Sequence, residues 1–191
     1  NTRKGSERII DAAFAFARTH GRKKVTIVHK ANVVRATDGM FLEIAREVAA
    51  RYPEITFDEA NVDAMTMWLL KNPMSYDVLV APNLYGDIVS DLSAQMVGGL
   101  GFACSGNIGT KLAVFEPTHG SAPKYAGQYK VNPIATILTA KMMLEWLGEQ
   151  DLARRLERAT AAVIKQGQVR TYDMGGSNTS LEMAEAVARE L

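Results

Sequence analysis

An α/β fold is predicted for this 191-residue chain by three observations. Short apolar runs alternate with stretches of helix-spaced apolar residues, several of those stretches begin with capping residues, and an aspartate pair opens a helix directly after an apolar strand. Alternation of this kind places binding sites in the loops beyond the strand ends.

Taken in order, residues 6–18 carry Ile9, Ile10, Ala13, Phe14 and Ala17 at helical spacing, and Gly21 follows where a helix stops. Val25 to Val28 is a short buried strand. Thr37 and Asp38 are expected to cap a helix through Phe41, Ile44, Ala45 and Val48 that ends before Pro53. Residues 55–57 and 78–80 are further strands, separated by a helix of Met65, Trp68 and Leu69. Gly98, Gly99, Gly101, Gly106 and Gly109 mark tight turns and a change of domain, so two domains are expected, 1–97 and 98–191. The second has a strand at Ala113 to Phe115 and a helix begun by Asn132 as cap and Pro133 in the first turn. Two closing helices follow, near residues 151–165 and 180–190. Met142, Met143, Trp68 and Trp146 fall in apolar patterns and read as core or interface.

Composition narrows function. With 22 basic and 21 acidic residues the net charge is +1, and no basic run or one-sided stripe is present, which disfavours nucleic acid and anionic membrane as partners. No apolar stretch is long enough to span a bilayer, and the first residues lack a signal peptide's apolar segment. The single Cys104 has no internal disulfide partner, fits a reducing compartment, and reads as a small buried apolar residue. A cytoplasmic location is expected, with the mitochondrial matrix open because the chain lacks an initiator methionine.

The chemistry centres on Asp87 and Asp91 in N-L-Y-G-D-I-V-S-D, four residues apart and therefore on one helical face. Acidic residues in a first helical turn complement the helix dipole; equally, two like charges so placed suit a cation. Asp63, at another helix entry, is by itself an ordinary cap. Three carboxylates with waters suit Mg²⁺ or Mn²⁺. Zinc is disfavoured, since His29, His119 and Cys104 show no ligand spacing. Lys30 stands past a strand end beside Asn32, where a lysine is usually a solvated boundary residue; next to a divalent ion and an oxyacid it can serve in proton transfer. Residues 116–133 form a loop rich in small residues that permits close approach to a phosphate or ring, yet lacks G-x-G-x-x-G and by spacing alone has no assigned purpose.

Together, H-K-A-N-V at 29–33, V-D-A at 62–64, N-L-Y-G-D-I-V-S-D at 83–91, E-P-T-H-G-S-A-P-K-Y-A-G at 116–127, N-P at 132–133 and T-Y-D at 171–173 resemble the β-decarboxylating dehydrogenases, whose members act on isocitrate, homoisocitrate, 3-isopropylmalate or tartrate. The resemblance covers essentially the whole chain. It implies a three-layer α/β/α fold of the isocitrate/isopropylmalate dehydrogenase kind, here lacking the N-terminal part of the large domain. Residues 1–97 would be the dimerising small domain and 98–191 the C-terminal portion of the cofactor-binding domain. It further implies Mg²⁺ or Mn²⁺ held by Asp87 and Asp91 of one subunit and Asp63 of the other, so that a homodimer shares its active site. Lys30 and Asp63 become catalytic, Asn32 meets substrate and nicotinamide, and His119, Gly120, Ser121, Ala122 and Asn132 grip the adenosine half of the cofactor.

Lys124 and Tyr125 resemble the NADP-preferring pattern, as does Tyr172, although Gly176 stands where some NADP enzymes have an arginine; NAD is the alternative. The histidine before Lys30 and the following A-T-D-G-M-F resemble the isocitrate members. The implied activity is oxidative decarboxylation of isocitrate to 2-oxoglutarate with NADP reduction. The alternatives are an NAD-dependent homoisocitrate or 3-isopropylmalate enzyme, and a non-catalytic regulatory or truncated subunit. The residues that hold substrate in this family precede the first residue of the chain, so this portion is expected to be inactive alone.

Overall fold

The apolar run Val25–Val28 forms the centre of a parallel sheet in the computed structural model, which describes residues 1–191. Strand β1 (Lys24–His29) lies between β2 (Thr56–Asn61) and β3 (Val78–Val80), parallel to both. Because both its edges are paired and both its faces covered, every residue after Lys24 is buried, which is why the strand reads as a continuous apolar run.

Helix α1 (Arg3–Thr19) precedes the sheet, α2 (Thr37–Ala49) joins β1 to β2, and α3 (Val62–Lys71) joins β2 to β3. The two crossovers run in opposite directions across the sheet, so their right-handedness places α2 and α3 on opposite faces and gives the layered α/β architecture. On one face Ile10, Phe14 and Ala17 of α1 meet Phe41, Ile44 and Val48 of α2 over Val25, Ile27 and Val80. Each large side chain so buried contributes about 1.5–3 kcal/mol relative to exposure. Met65 and Leu69 are the buried residues of α3, which packs on β1 and β2.

Several boundaries differ from expectation. Thr37 and Asp38 do not cap α2, whose N-terminal flank has no side-chain cap; Asp38 is 2% exposed and its carboxylate accepts from the Lys30 backbone N–H at 2.7 Å. Strand β2 runs through Asp58-Glu59-Ala60-Asn61, beyond its apolar residues, because an edge strand is held by backbone pairing with β1. Helix α4 (Asn83–Met96) opens four residues before Asp87, so no acidic residue occupies its first turn.

The chain divides into two compact units, 1–93 and 94–191. In the second, the expected strand at 113–115 belongs to an antiparallel hairpin of β4 (Cys104–Ile108) and β5 (Ala113–Pro117). Strand β4 was not expected, since Cys104-Ser105-Gly106-Asn107-Ile108 has no apolar alternation. Helices α5 (Ile134–Trp146), α6 (Gln150–Gln166) and α7 (Ser180–Arg189) pack through Ile134, Ala159, Val163, Met183 and Val187. Helix α6 stops at Gly167, whose φ of 65° is the left-handed conformation glycine adopts freely. Helix α7 begins with a capping box in which Thr179 and Glu182 satisfy each other's backbone N–H groups.

Not all aromatic and sulfur residues are core. Trp146 is 43% and Met143 40% exposed, while Trp146 keeps an edge contact with Phe115 at 6.1 Å. Cys104 is half-buried, and burial pushes its thiol pKa up.

Candidate active site

Lys30 is the first residue beyond β1, and Asp63 stands two residues beyond β2. The register pairs His29 with Asn61, so the two chain segments leave the sheet side by side. Lys30 Nζ donates to Asp63 Oδ1 at 2.6 Å, and hydrogen bonding to Lys30 holds the Asp63 pKa below the ordinary carboxylate range. The backbone under Lys30 is fixed as well, its N–H on Asp38 and its carbonyl accepting from Val33 and Val34. Asp38 faces a second partner in Tyr85, whose pKa rises through burial and then through hydrogen bonding to Asp38. Thus Asp38, expected as a cap, braces the segment that presents Lys30. Asn32 is exposed in the turn that follows.

His29, next to Lys30, is 7% exposed. Its Nδ1 accepts from the Ala31 N–H at 3.0 Å, which assigns the proton to Nε2. Nε2 is buried without a partner, and so is Oδ1 of Asn61, its register neighbour.

Asp87 and Asp91 lie in the second and third turns of α4, both exposed on one face. The helix-dipole reading therefore does not apply to them. Asn83 Nδ2 lies 3.4 Å from Asp87 Oδ2. Two hard carboxylates one turn apart fit Mg²⁺ or Mn²⁺ but fill only part of its coordination. No group of three ligating side chains forms within the chain, and the structure does not bring Asp63 to this pair.

A cavity of about 480 Å³ opens in residues 94–191. His119, Gly120, Ala122, Tyr125, Asn132 and Tyr172, six of the residues expected at the cofactor, line it. Asn132 is buried, accepts from the Ile134 N–H at 3.0 Å at the start of α5, and donates to Asp173 Oδ2 at 3.0 Å. His119 Nδ1 engages the Gly120 carbonyl at 2.9 Å while its buried Nε2 is without a partner, a free polar group suited to a nucleotide. Ser121 instead lines an adjoining cavity of about 350 Å³ that shares Ala122, Tyr125 and Val131 with the first. Lys124 lies at the exposed rim, its Nζ 4.8 Å from the Tyr125 ring centre.

Sequence reasoning missed three residues here. Gly101 lines the cavity, and a Cβ there would come within 2.6 Å of Asp173 Oδ2. Asp173 also accepts from Thr171 Oγ1 at 2.5 Å and so fixes the floor; its place in T-Y-D was the available signal. Lys130 places its Nζ 5.1 Å from the Tyr125 ring and 4.9 Å from that of Tyr172, and nothing in the local pattern announced it.

A sequence model of the family described as isocitrate/isopropylmalate dehydrogenase matches residues 1–187. The mitochondrial NAD isocitrate dehydrogenase catalytic subunit 5 of Arabidopsis thaliana is 48% identical over 191 residues, covering 100% of this chain and 51% of that protein. The 3-isopropylmalate dehydrogenase of Archaeoglobus fulgidus is 49% identical over 187 residues, covering 98% and 57%. Among solved structures, isocitrate dehydrogenase from Methylococcus capsulatus superimposes with a TM-score of 0.95 at 51% identity, covering 99% of this chain and 56% of that one. The chain spans about half the length of the curated relatives it matches.

Proposed function

The chain belongs to the isocitrate/isopropylmalate dehydrogenase family, and from that membership we propose that it is the C-terminal portion of a metal-dependent isocitrate dehydrogenase that reduces NADP. The observation that carries the reading is the Lys30–Asp63 contact of 2.6 Å at the carboxyl edge of the sheet. An oriented lysine amine there is the group that would take part in moving the proton of the substrate hydroxyl, and Asp63 keeps its Nζ in place. Asn32, in the adjoining turn, orients the substrate and the nicotinamide. When bound, the divalent ion supplies positive charge against the negative charge that develops as CO₂ leaves, and the nicotinamide accepts the hydride.

In this proposal Asp63 of a second copy completes the ion site begun by Asp87 and Asp91, making the functional unit a homodimer. Leu84 and Ile88, 65% and 52% exposed on the same helix, support pairing there. Residues 1–97 would then dimerise and 98–191 hold the cofactor, with His119, Gly120, Ser121, Ala122 and Asn132 around its adenosine. NADP is favoured by the grouping of Lys124, Tyr125 and Tyr172, whose rings lie 5.7 Å apart. The cytoplasm is the compartment proposed, against the mitochondrial one in the name of the Arabidopsis relative.

A second reading, an NAD-linked enzyme acting on 3-isopropylmalate or homoisocitrate, is favoured by the names of the relatives. Steady-state kinetics of the full-length protein with Mg²⁺ separate the two. The proposal expects the highest kcat/KM with isocitrate and NADP, and a shift toward NAD in Lys124→Asp with Tyr125→Ile. A preference for 3-isopropylmalate, or a coenzyme ratio unmoved by the double change, overturns the corresponding part.

A further inference from the structure

Lys130 has no role in the reading above, yet its ammonium stands over both tyrosine rings. Its Nζ lies 5.1 Å from the Tyr125 ring centre and 4.9 Å from that of Tyr172, while Lys124 Nζ lies 4.8 Å from Tyr125. Two ammonium groups therefore gather at the two tyrosine rings; Tyr125 lines both cavities, Tyr172 the first and Lys130 the adjoining one.

The loop is built to hold this lysine. Gly127 and Tyr129 take left-handed φ values of 73° and 51°, which turn the chain just before Lys130. The carbonyls on either side of Lys130 are both pinned by Ser180 at the start of α7: its N–H donates to Tyr129 O at 2.6 Å and its hydroxyl to Val131 O. A lysine between two anchored residues has less backbone freedom to lose when it meets a ligand.

The charge on the patch is uncompensated. The ion pairs of this part of the chain employ Lys141, Arg154 and Arg189, none of which belongs to it. The adjacent carboxylate, Asp173, is occupied by Thr171 and Asn132. Hydrogen bonding to Lys124, its charge, and further off that of Lys130 hold the Tyr125 phenol pKa below its ordinary value, as expected where positive charge accumulates. Residue 176, close along the chain from Tyr172, cannot add a side chain of its own, because a Cβ on Gly176 would collide with the Arg170 carbonyl oxygen.

We propose that Lys130 is a second cation of the ribose subsite and, with Lys124, Tyr125 and Tyr172, receives the 2′-phosphate of NADP. The proposal rests on the NADP reading above. A phosphate monoester carries a charge of about −1.5 to −2 at pH 7, which two lysines match and one does not. The hydroxyls of the two tyrosines supply neutral donors to the remaining oxygens. In the absence of the anion, Lys130 is held by the ring faces through cation–π attraction, so the site is preformed.

The test is calorimetric titration of the full-length protein with 2′,5′-ADP and with 5′-AMP, which differ only in the 2′-phosphate. Wild type is expected to bind 2′,5′-ADP more tightly. Lys130→Gln should weaken 2′,5′-ADP by about tenfold and leave 5′-AMP within about twofold, and Lys130→Arg should restore most of the difference. Lys130 is exposed, so neither change threatens folding. If wild type discriminates and Lys130→Gln discriminates equally well, Lys130 only staples the two rings; this inference falls while the NADP reading stands. If wild type fails to discriminate, both fall.

Discussion

Lys30 Nζ and Asp63 Oδ1 meet at 2.6 Å although 33 residues separate them along the chain. The meeting is a consequence of strand register: His29 pairs with Asn61, and each functional residue follows within two positions. Lys30→Met in the full-length protein is expected to lower kcat by about 10²–10⁴-fold, the range of a lost acid–base group, with a smaller change in KM. A loss under about tenfold would remove Lys30 from the chemistry.

Asp87→Asn separates ion binding from folding, because its two effects have opposite signs. Removing one of two like charges at i and i+4 should stabilise α4 by about 0.2–0.5 kcal/mol. Mn²⁺ affinity, followed by electron paramagnetic resonance, should fall by at least about tenfold. A variant that melts higher and still binds Mn²⁺ normally would contradict the metal assignment.

His29 makes stability depend on pH on the acid side. Burial lowers its pKa below the ordinary value of about 6.5, so the unfolded chain takes up a proton that the folded chain resists. The stability is complete above about pH 6.5 and is lost as pH falls from there through the lowered folded value. The urea midpoint of wild type should therefore drop between pH 7 and pH 5 by more than that of His29→Gln. Equal drops would show that this imidazole titrates as if exposed.

Gly101→Ala should damage the cavity proposed for the nucleotide from its floor. The added Cβ would lie 2.6 Å from Asp173 Oδ2 and 3.0 Å from Asn132 Cβ, forcing apart a pair that hydrogen-bonds at 3.0 Å. An overpacking cost of about 1–3 kcal/mol is expected in thermal unfolding, together with weaker binding of 5′-AMP. Unchanged affinity would place the adenosine elsewhere.

What could be read in the sequence follows from how local each determinant is. Strand β1 was legible because burial on both faces leaves an unbroken apolar run, and the Asp87–Asp91 spacing is a helical period whatever surrounds it. Strand β4 was not, since a hairpin partner can impose extended structure on Cys104-Ser105-Gly106-Asn107-Ile108 without any apolar pattern. Asp38 has the composition of a cap, but its partner is the Lys30 N–H across a turn. Resemblance to a family supplied Lys30, Asp63 and the 116–133 loop. Lys130 escaped because its direction depends on the left-handed Tyr129 and on a serine 50 positions later.

That serine ties two otherwise unrelated properties together. Ser180 is at once the first residue of α7 and the clamp on both carbonyls beside Lys130. Fraying of the C-terminal helix by a single turn would therefore loosen the 126–131 loop, and a ligand held by that loop would in return restrain the last helix. Deuterium uptake in α7 would thus be a remote gauge of what the cavity beside this loop holds.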